Sequence, residues 1–431
     1  MTKLTKEIHV TVQNNVMLST KAAMTRQLGQ MATAMTLLAS LVACQSSGPT
    51  EQALQEKANK IAQTYLIADT HIDVPYRLED HFEDVSQHTD KGDFDYPRAV
   101  AGGLNAPFMS IYTPSALEGT GKSKALADAL IDSVEALVKA SPNKFALAYS
   151  TDELQHNFEN GLISFPLGME NGSPIEGDLA NLSHFYQRGV RYITLAHAKA
   201  NHISDSSYDL ERPAHGLTAF GKVLVQEMNN LGVMIDVSHI SDEAFYQVMD
   251  LSKAPVIASH SSARYFTPGF ERNMSDDMIQ QLAEKGGIIQ INFGSTFISQ
   301  KSIESYEAYK KAKATFMAEN KVPEDSEAVK AFSDDYRQRV PFEFATLDDV
   351  LDHFDHVVQL VGVDHVGIGS DYDGVGDSLP EGLKDVSSYP HLIAGFLKRG
   401  YSEGDIKKIL SGNLRRVWKQ VEDYSVNHTA T

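Results

Sequence analysis

Five short segments of this 431-residue chain carry side chains that ligate metal ions, and each follows an apolar run. After the first run comes Asp69-Thr70-His71-Ile72-Asp73. His71 and Asp73 are two positions apart, so on an extended backbone both point to one side and can chelate one ion through a nitrogen and an oxygen. Glu170 lies in Gly168-Met169-Glu170-Asn171-Gly172, after the third run. His239 ends Asp236-Val237-Ser238-His239, His260 lies in Ser259-His260-Ser261-Ser262, and Asp371 lies in Gly369-Ser370-Asp371-Tyr372-Asp373-Gly374. Imidazole and carboxylate donors of this kind suit Zn²⁺, with Mn²⁺ or Co²⁺ as alternatives. Two ions need more donors than three histidines supply, and Glu170 is the natural carboxylate to bridge them. Ions roughly 3.5–4 Å apart can share a hydroxide and present it to a carbonyl. Taken singly, each residue has a plainer role. A histidine at a strand end often hydrogen-bonds a carbonyl, and Asp69 and Asp236 could cap the following helices. The convergence of five strand ends favours a metal centre.

Such convergence requires strands that all end on one rim. Eight apolar, β-rich runs recur: Tyr65–Ala68, Ala106–Tyr112, Leu162–Pro166, Val190–Leu195, Val233–Val237, Pro255–Ser259, Ile288–Asn292 and His365–Gly369. Runs such as IIQIN and PVIAS lack polar alternation and fit strands buried on both faces. Amphipathic stretches separate them, among them Ser123–Ala140, Thr218–Leu231, Asp242–Leu251, Ser275–Lys285 and Thr346–Val361. The spacing predicts an α/β fold, a (β/α)8 TIM-type barrel whose active site lies at the C-terminal ends of the strands. Two stretches exceed a minimal barrel. Residues 76–105 read as a long loop after the first strand, and residues 296–345 as a helical insertion near the barrel mouth. The insertion is either a lid or a solvated decoration.

The formal charge of −19 argues against nucleic acid as a partner, which would need clustered Lys and Arg. The single cysteine excludes an intramolecular disulfide and a thiolate-rich metal site. Residues 1–43 differ from the rest: Lys3, Lys6, Lys21 and Arg26 face one acid, Glu7, and an apolar run from Met31 to Ala43 follows. That pattern reads as an export signal, its run too short to span a bilayer. Leu41-Val42-Ala43-Cys44 is similar to a bacterial lipobox, in which Cys44 is lipidated and anchors the mature chain to the membrane. The expectation is a periplasm-facing envelope lipoprotein, with Gln45 pointing to the outer membrane, a polar tether over residues 44–60 and the barrel over 61–424.

At the chemical segments the chain resembles the membrane dipeptidase family, the M19 metallopeptidases. The matching pieces are DTHID (69–73), MENG (169–172), DVSH (236–239), APVIASHSSAR (254–264), ERN (271–273) and DHVGIGSDYDG (364–374), with GYSEGDIKKILSGNLRRV (400–417) resembling the family's closing helix. The resemblance implies a barrel with two zinc ions that hydrolyses dipeptides, acceptance of a C-terminal D-residue being left open, and a tendency to form homodimers. It implies that His71, Asp73 and Glu170 hold one ion and that Glu170, His239 and His260 hold the other. Arg272 matches the residue that binds the substrate's C-terminal carboxylate. Asp371 matches an acid beside the substrate's amino end and the scissile bond. His197, in ITLAHAKAN, matches a histidine at the tetrahedral centre, although the family usually has LTH there and often a following Asn-Pro-Trp. Counterparts of the 296–345 insertion occur only in some bacterial relatives. Other barrel hydrolases, such as N-acyl amino acid deacylases, often carry H-x-H after the first strand and a carboxylated lysine. H-x-D and Glu170 favour the dipeptidase. A metal-free binding lipoprotein would need a broken ligand set, and all five ligands are present.

Overall fold

The computed structural model describes residues 50–429. The expected export segment and Cys44 lie outside the described residues. Eight parallel strands form one sheet in the order β1 (Ile67–Ile72), β2 (Leu104–Tyr112), β5 (Leu167–Glu170), β6 (Val190–Thr194), β7 (Met234–Asp236), β8 (Ile257–Ala258), β9 (Ile288–Ile291) and β10 (Val366–Ile368). The sheet curls until its ends meet. Thr70 Oγ1 donates to Ile368 O at 3.1 Å, Asp371 N to His71 O at 3.1 Å and Asp73 N to Tyr372 O at 2.9 Å. The result is the expected (β/α)8 barrel, nearly closed.

Every residue of β1 and of β5 to β10 is buried, as the unbroken apolar runs predict. Caps start the helices where the chain leaves the rim. The Ser241 and Ser275 hydroxyls accept from Ala244 N and Met278 N, and Thr346 and Asp349 form a reciprocal capping box. Inside the barrel, Phe108 packs on Tyr192 and on Trp418 of the helix Asn413–Thr429, which closes the end opposite the rim.

Four expectations need correction. The third barrel strand is Leu167–Glu170, not Leu162–Pro166. Ile163–Phe165 (β4) instead pairs with Phe145–Leu147 (β3) in a separate two-stranded sheet. Pro166 lacks an N–H and punctuates the apolar run, so the chain changes sheets there. The tether reading fails from Glu51, because Glu51–Ala62 is a helix that buries Ala58, Ile61 and Ala62. Residues 76–105 are not a plain loop, since the helices Val74–Asp80 and Tyr96–Gly102 occupy its two ends. Asp69 and Asp236 cap no helix. Asp69 accepts from His71 N, Ser370 N and the Tyr389 hydroxyl, and Asp236 from Ser238 N, Ser259 N and two hydroxyls. The insertion is helical as expected, over Ser295–Ile298, Gln300–Asn320 and Glu327–Arg339.

The insertion and a rim loop are tied to the barrel through His353. Its Nδ1 accepts from Ala263 N at 3.0 Å, so Nε2 carries the proton and donates to Ile298 O at 3.0 Å. Burial pushes this imidazole down to about 4, with His356 adding to the effect and the Ile298 carbonyl and Asp349 opposing it. The folded group binds its proton more weakly than the unfolded one, whose value is near 6.5. Its stabilisation is therefore full above about pH 6.5 and is lost as the pH falls toward 4. Between about pH 7.5 and 5.5 this amounts to about 1 kcal/mol. Urea unfolding of the wild type and of His353→Gln at those two pH values should show the wild type losing about that much more. Equal losses would remove His353 from the acid response.

Candidate metal centre

Each expected ligand sits at the C-terminal rim, and the strands bring them together. The Glu170 carboxylate, at the end of β5, is nearly fully buried. Its Oε1 lies 3.1 Å from His239 Nε2, 3.3 Å from His260 Nε2 and 3.5 Å from His197 Nε2, and its Oε2 lies 3.5 Å from His71 Nε2. His71 Nε2 is also 3.5 Å from Asp73 Oδ2. Three sets of ligand atoms lie within 4.8 Å of one another: His71, Glu170 and His260; Glu170, His197 and His239; and His71, Asp73 and Asp371. Glu170 belongs to two of them, which is what a bridging carboxylate requires. The sets also place His197 and Asp371 closer to a ligand role than the sequence suggested.

Hydrogen bonds fix which nitrogen of each imidazole is free. The Tyr192 hydroxyl donates to Thr70 O at 2.9 Å, so at 2.8 Å it must accept from His71 Nδ1. The Ser259 hydroxyl donates to Asp236 Oδ2 at 2.6 Å, so it accepts from His260 Nδ1 at 2.7 Å. Both Nε2 atoms therefore face Glu170. His71 Nε2 and Asp73 Oδ1 are buried without a hydrogen-bond partner. His239 Nε2 and His260 Nε2 stand 2.8 Å apart, a separation two lone pairs tolerate only around a proton or a cation. These donors fit divalent metal, and the carboxylate–hydroxyl–imidazole chain to His260 is the support such ligands receive.

The electrostatics point the same way. Burial and then the Arg272 charge push His239 well below the usual imidazole range, and burial and then His71 do the same for His260, so both remain neutral donors. Burial also lowers His197. Burial opposes the charge on Glu170, yet His197 and His71, with His239 and His260 in contact, hold its carboxyl well below the usual range. Burial pushes Asp371 up to about 7, with Asp73 and Glu170 adding to the effect and His71 and Arg272 opposing it. Asn292 Nδ2 donates to Asp371 Oδ2 at 2.7 Å and fixes its rotamer.

The backbone is strained where these groups meet. Asn171, His239, Asp371 and Asp373 have φ of 75°, 70°, 64° and 65°. Non-glycine residues hold such angles at a cost of roughly 1–3 kcal/mol each, and only where surrounding contacts over-determine them. Gly374 is required by close approach, since a Cβ there would lie 2.2 Å from Asp371 Oδ1 and 2.3 Å from Asp73 Oδ2.

Arg272 packs against this cluster. Its Nη1 donates to Ser261 Oγ at 2.7 Å and its Nη2 to His260 O at 2.7 Å, and Nη2 lies 3.0 Å from His239 Nε2. Nε has no partner. A cleft of about 1040 Å³ opens over the cluster, lined by Asp73, Glu170, His197, His239 and Asp371, and by residues of the insertion.

A sequence profile of membrane dipeptidases, peptidase family M19, matches residues 55–431. The chain belongs to this family. Dipeptidase 3 of Mus musculus is 32% identical over 378 residues, covering 86% of this chain and 67% of its own. Dipeptidase tcpJ of Claviceps purpurea is 32% identical over 359 residues, covering 82% and 74%. The crystal structure of the probable dipeptidase PvdM from Pseudomonas aeruginosa superposes with a TM-score of 0.74 at 26% identity, covering 86% of this chain and 99% of that one. The chain is thus an M19 metallo-dipeptidase, a hydrolase of dipeptides, and the rim cluster is its candidate metal centre.

Tyr192, Ser259, Asp236 and Asn292, which hold the dipeptidase's candidate ligands in place, carry no sequence mark of that role. The only available signal was that polar residues interrupt otherwise apolar strands. Ser259→Ala deletes the acceptor for His260 Nδ1 and should weaken metal affinity about 10-fold with the fold intact. Chelator competition measures this, and unchanged affinity would deny Ser259 its orienting part.

Proposed function

We propose that this dipeptidase is zinc-dependent and holds two ions across Glu170, with His71 and Asp73 completing one site and His239 and His260 the other. One observation carries the reading: a buried carboxylate within 3.5 Å of imidazole nitrogens from four different strand ends. Bound zinc would supply Lewis acidity at the peptide carbonyl and lower the pKa of the attacking water. The chain's own residues do the rest. Arg272, whose Nε is buried and unpaired beside His239, holds the substrate's terminal carboxylate. Its planar fork suits that group in a way a lysine does not reproduce. His197, kept neutral by burial, hydrogen-bonds the oxyanion that develops at the carbonyl, a contribution of roughly 3–4 kcal/mol. Asp371, steadied by Asn292, moves a proton to the departing amine.

Glu170→Gln should lower bound zinc, measured by elemental analysis, and reduce dipeptide turnover at least 1,000-fold, roughly the scale of losing a residue central to catalysis. Normal metal content with normal activity would refute the bridge. Arg272→Lys should raise KM about 10-fold for dipeptides with a free carboxylate and change kcat less, as expected for a lost forked contact. An unchanged KM would discard the anchor.

A further inference from the structure

The cleft over the metal centre is larger than a dipeptide backbone needs. Its volume of about 1040 Å³ stands at the upper end of the roughly 300–1,000 Å³ common for small-molecule sites. Much of the additional wall comes from the insertion, which contributes Tyr306, Lys310, Arg337, Phe342 and Phe344. Among these, Arg337 is unusual. Its guanidinium carbon lies 4.1 Å from the centre of the Tyr309 ring and 5.3 Å from that of Phe342. Among the described residues it has no hydrogen bond and no ion pair, and its Nη1 is buried without a partner. The two rings pack beside the guanidinium without engaging its N–H groups, which remain for a ligand. A guanidinium donates paired N–H bonds to an in-plane, two-oxygen acceptor such as a carboxylate. Lys310 lines the same cleft, and among the described residues its ion pair is an exposed one, 3.0 Å from Glu307 on its own helix. Such a pair holds a lysine weakly.

Charge is divided by structural origin. The barrel rim brings the acids Asp73, Glu170, Asp371 and Asp373 to the cleft, and the insertion brings the two cations, Lys310 and Arg337. One exposed acid, Asp377, also lines it. We propose that the insertion builds a carboxylate subsite on Arg337, supported by Lys310, that selects dipeptides with an acidic side chain. This rests on the dipeptidase reading and extends it to substrate class.

The test uses isosteric pairs, Ala-Glu against Ala-Gln and Glu-Ala against Gln-Ala, with the zinc-loaded full chain. The wild type should favour the acidic member of at least one pair. Arg337→Gln should cut that preference in kcat/KM about 10-fold, mainly through KM, Lys310→Gln should cut it less, and Arg337→Glu should invert it. A preference that neither Arg337 variant moves overturns the subsite. Calorimetric titration of glutarate, a dicarboxylate that cannot be hydrolysed, provides a readout independent of turnover. Its affinity should fall about 10-fold in Arg337→Gln, and an unchanged affinity counts against the subsite. If the wild type hydrolyses no dipeptide with zinc, manganese or cobalt, the dipeptidase reading fails separately, and the glutarate result alone decides whether Arg337 binds carboxylates.

Discussion

A buried carboxylate ringed by imidazole nitrogens is the constraint around which this rim is organised. Glu170 is 5% exposed, and an ionised carboxylate at that depth is costly unless charge or hydrogen bonds answer it. Tyr192 and Ser259 take the Nδ1 protons of His71 and His260 and so turn both Nε2 atoms toward the acid. Burial opposes charge on His71, yet Tyr192, Asp73 and Glu170 raise it well above the usual imidazole range, so that ring answers the acid when no metal does. Lone pairs facing a carboxylate repel unless a cation sits among them. The support network therefore suits positive charge at the centre, whether a proton on His71 or a metal ion carries it. The strained backbone at His239 and Asp371 belongs to the same account, since contacts elsewhere in the barrel hold both residues in conformations they would not choose.

The barrel meets this demand because parallel strands finish at one level. β1, β5, β7 and β8 each end within a few residues of a ligand, and short connections leave those side chains little freedom. Tyr192 couples the two ends of the barrel. Its ring packs on Phe108 in the apolar interior, and its hydroxyl reaches His71 at the rim. Gly168 permits this, since a Cβ there would lie 2.0 Å from the Tyr192 ring. One aromatic side chain thus links core packing to ligand orientation.

The convergence of the candidate ligands was legible in the sequence because their residue types are rare at the ends of apolar runs, and because the runs announce the barrel. The groups that orient them were not. Tyr192 lies 121 residues from His71, and Asp236 lies 23 from Ser259. Tyrosine and serine are ordinary strand residues whose partners only the closed barrel reveals. The third strand was misplaced for a related reason. Residues 162–170 form two adjacent apolar pieces around Pro166, and apolarity alone does not say which piece joins the barrel. The helix Glu51–Ala62 was read as a tether because only Ala58, Ile61 and Ala62 are buried in it, too few to stand out from its polar residues.

The sequence shows the insertion as helical and near the barrel mouth but leaves a lid and a solvated decoration both open, because its residues read as a charged surface. Charge gives a reason for its placement. A rim that gathers Asp73, Glu170, Asp371 and Asp373 attracts the amino end of a peptide and, beyond what bound metal neutralises, opposes every further carboxylate. The formal charge of −19 on the whole chain adds little to this locally, since physiological salt screens exposed charges beyond about 8 Å. An acidic side chain entering the cleft therefore needs compensation close by, and the barrel rim has few cations to offer. Arg272, beside its bonds to Ser261 and His260, is the group proposed to take the substrate's terminal carboxylate. Arg337 and Lys310 come from outside the minimal barrel, on helices that can change without disturbing the metal ligands. Selectivity carried there is separable from catalysis: the rim remains fixed by the demands of Glu170, while the insertion is free to set which side chains the cleft admits.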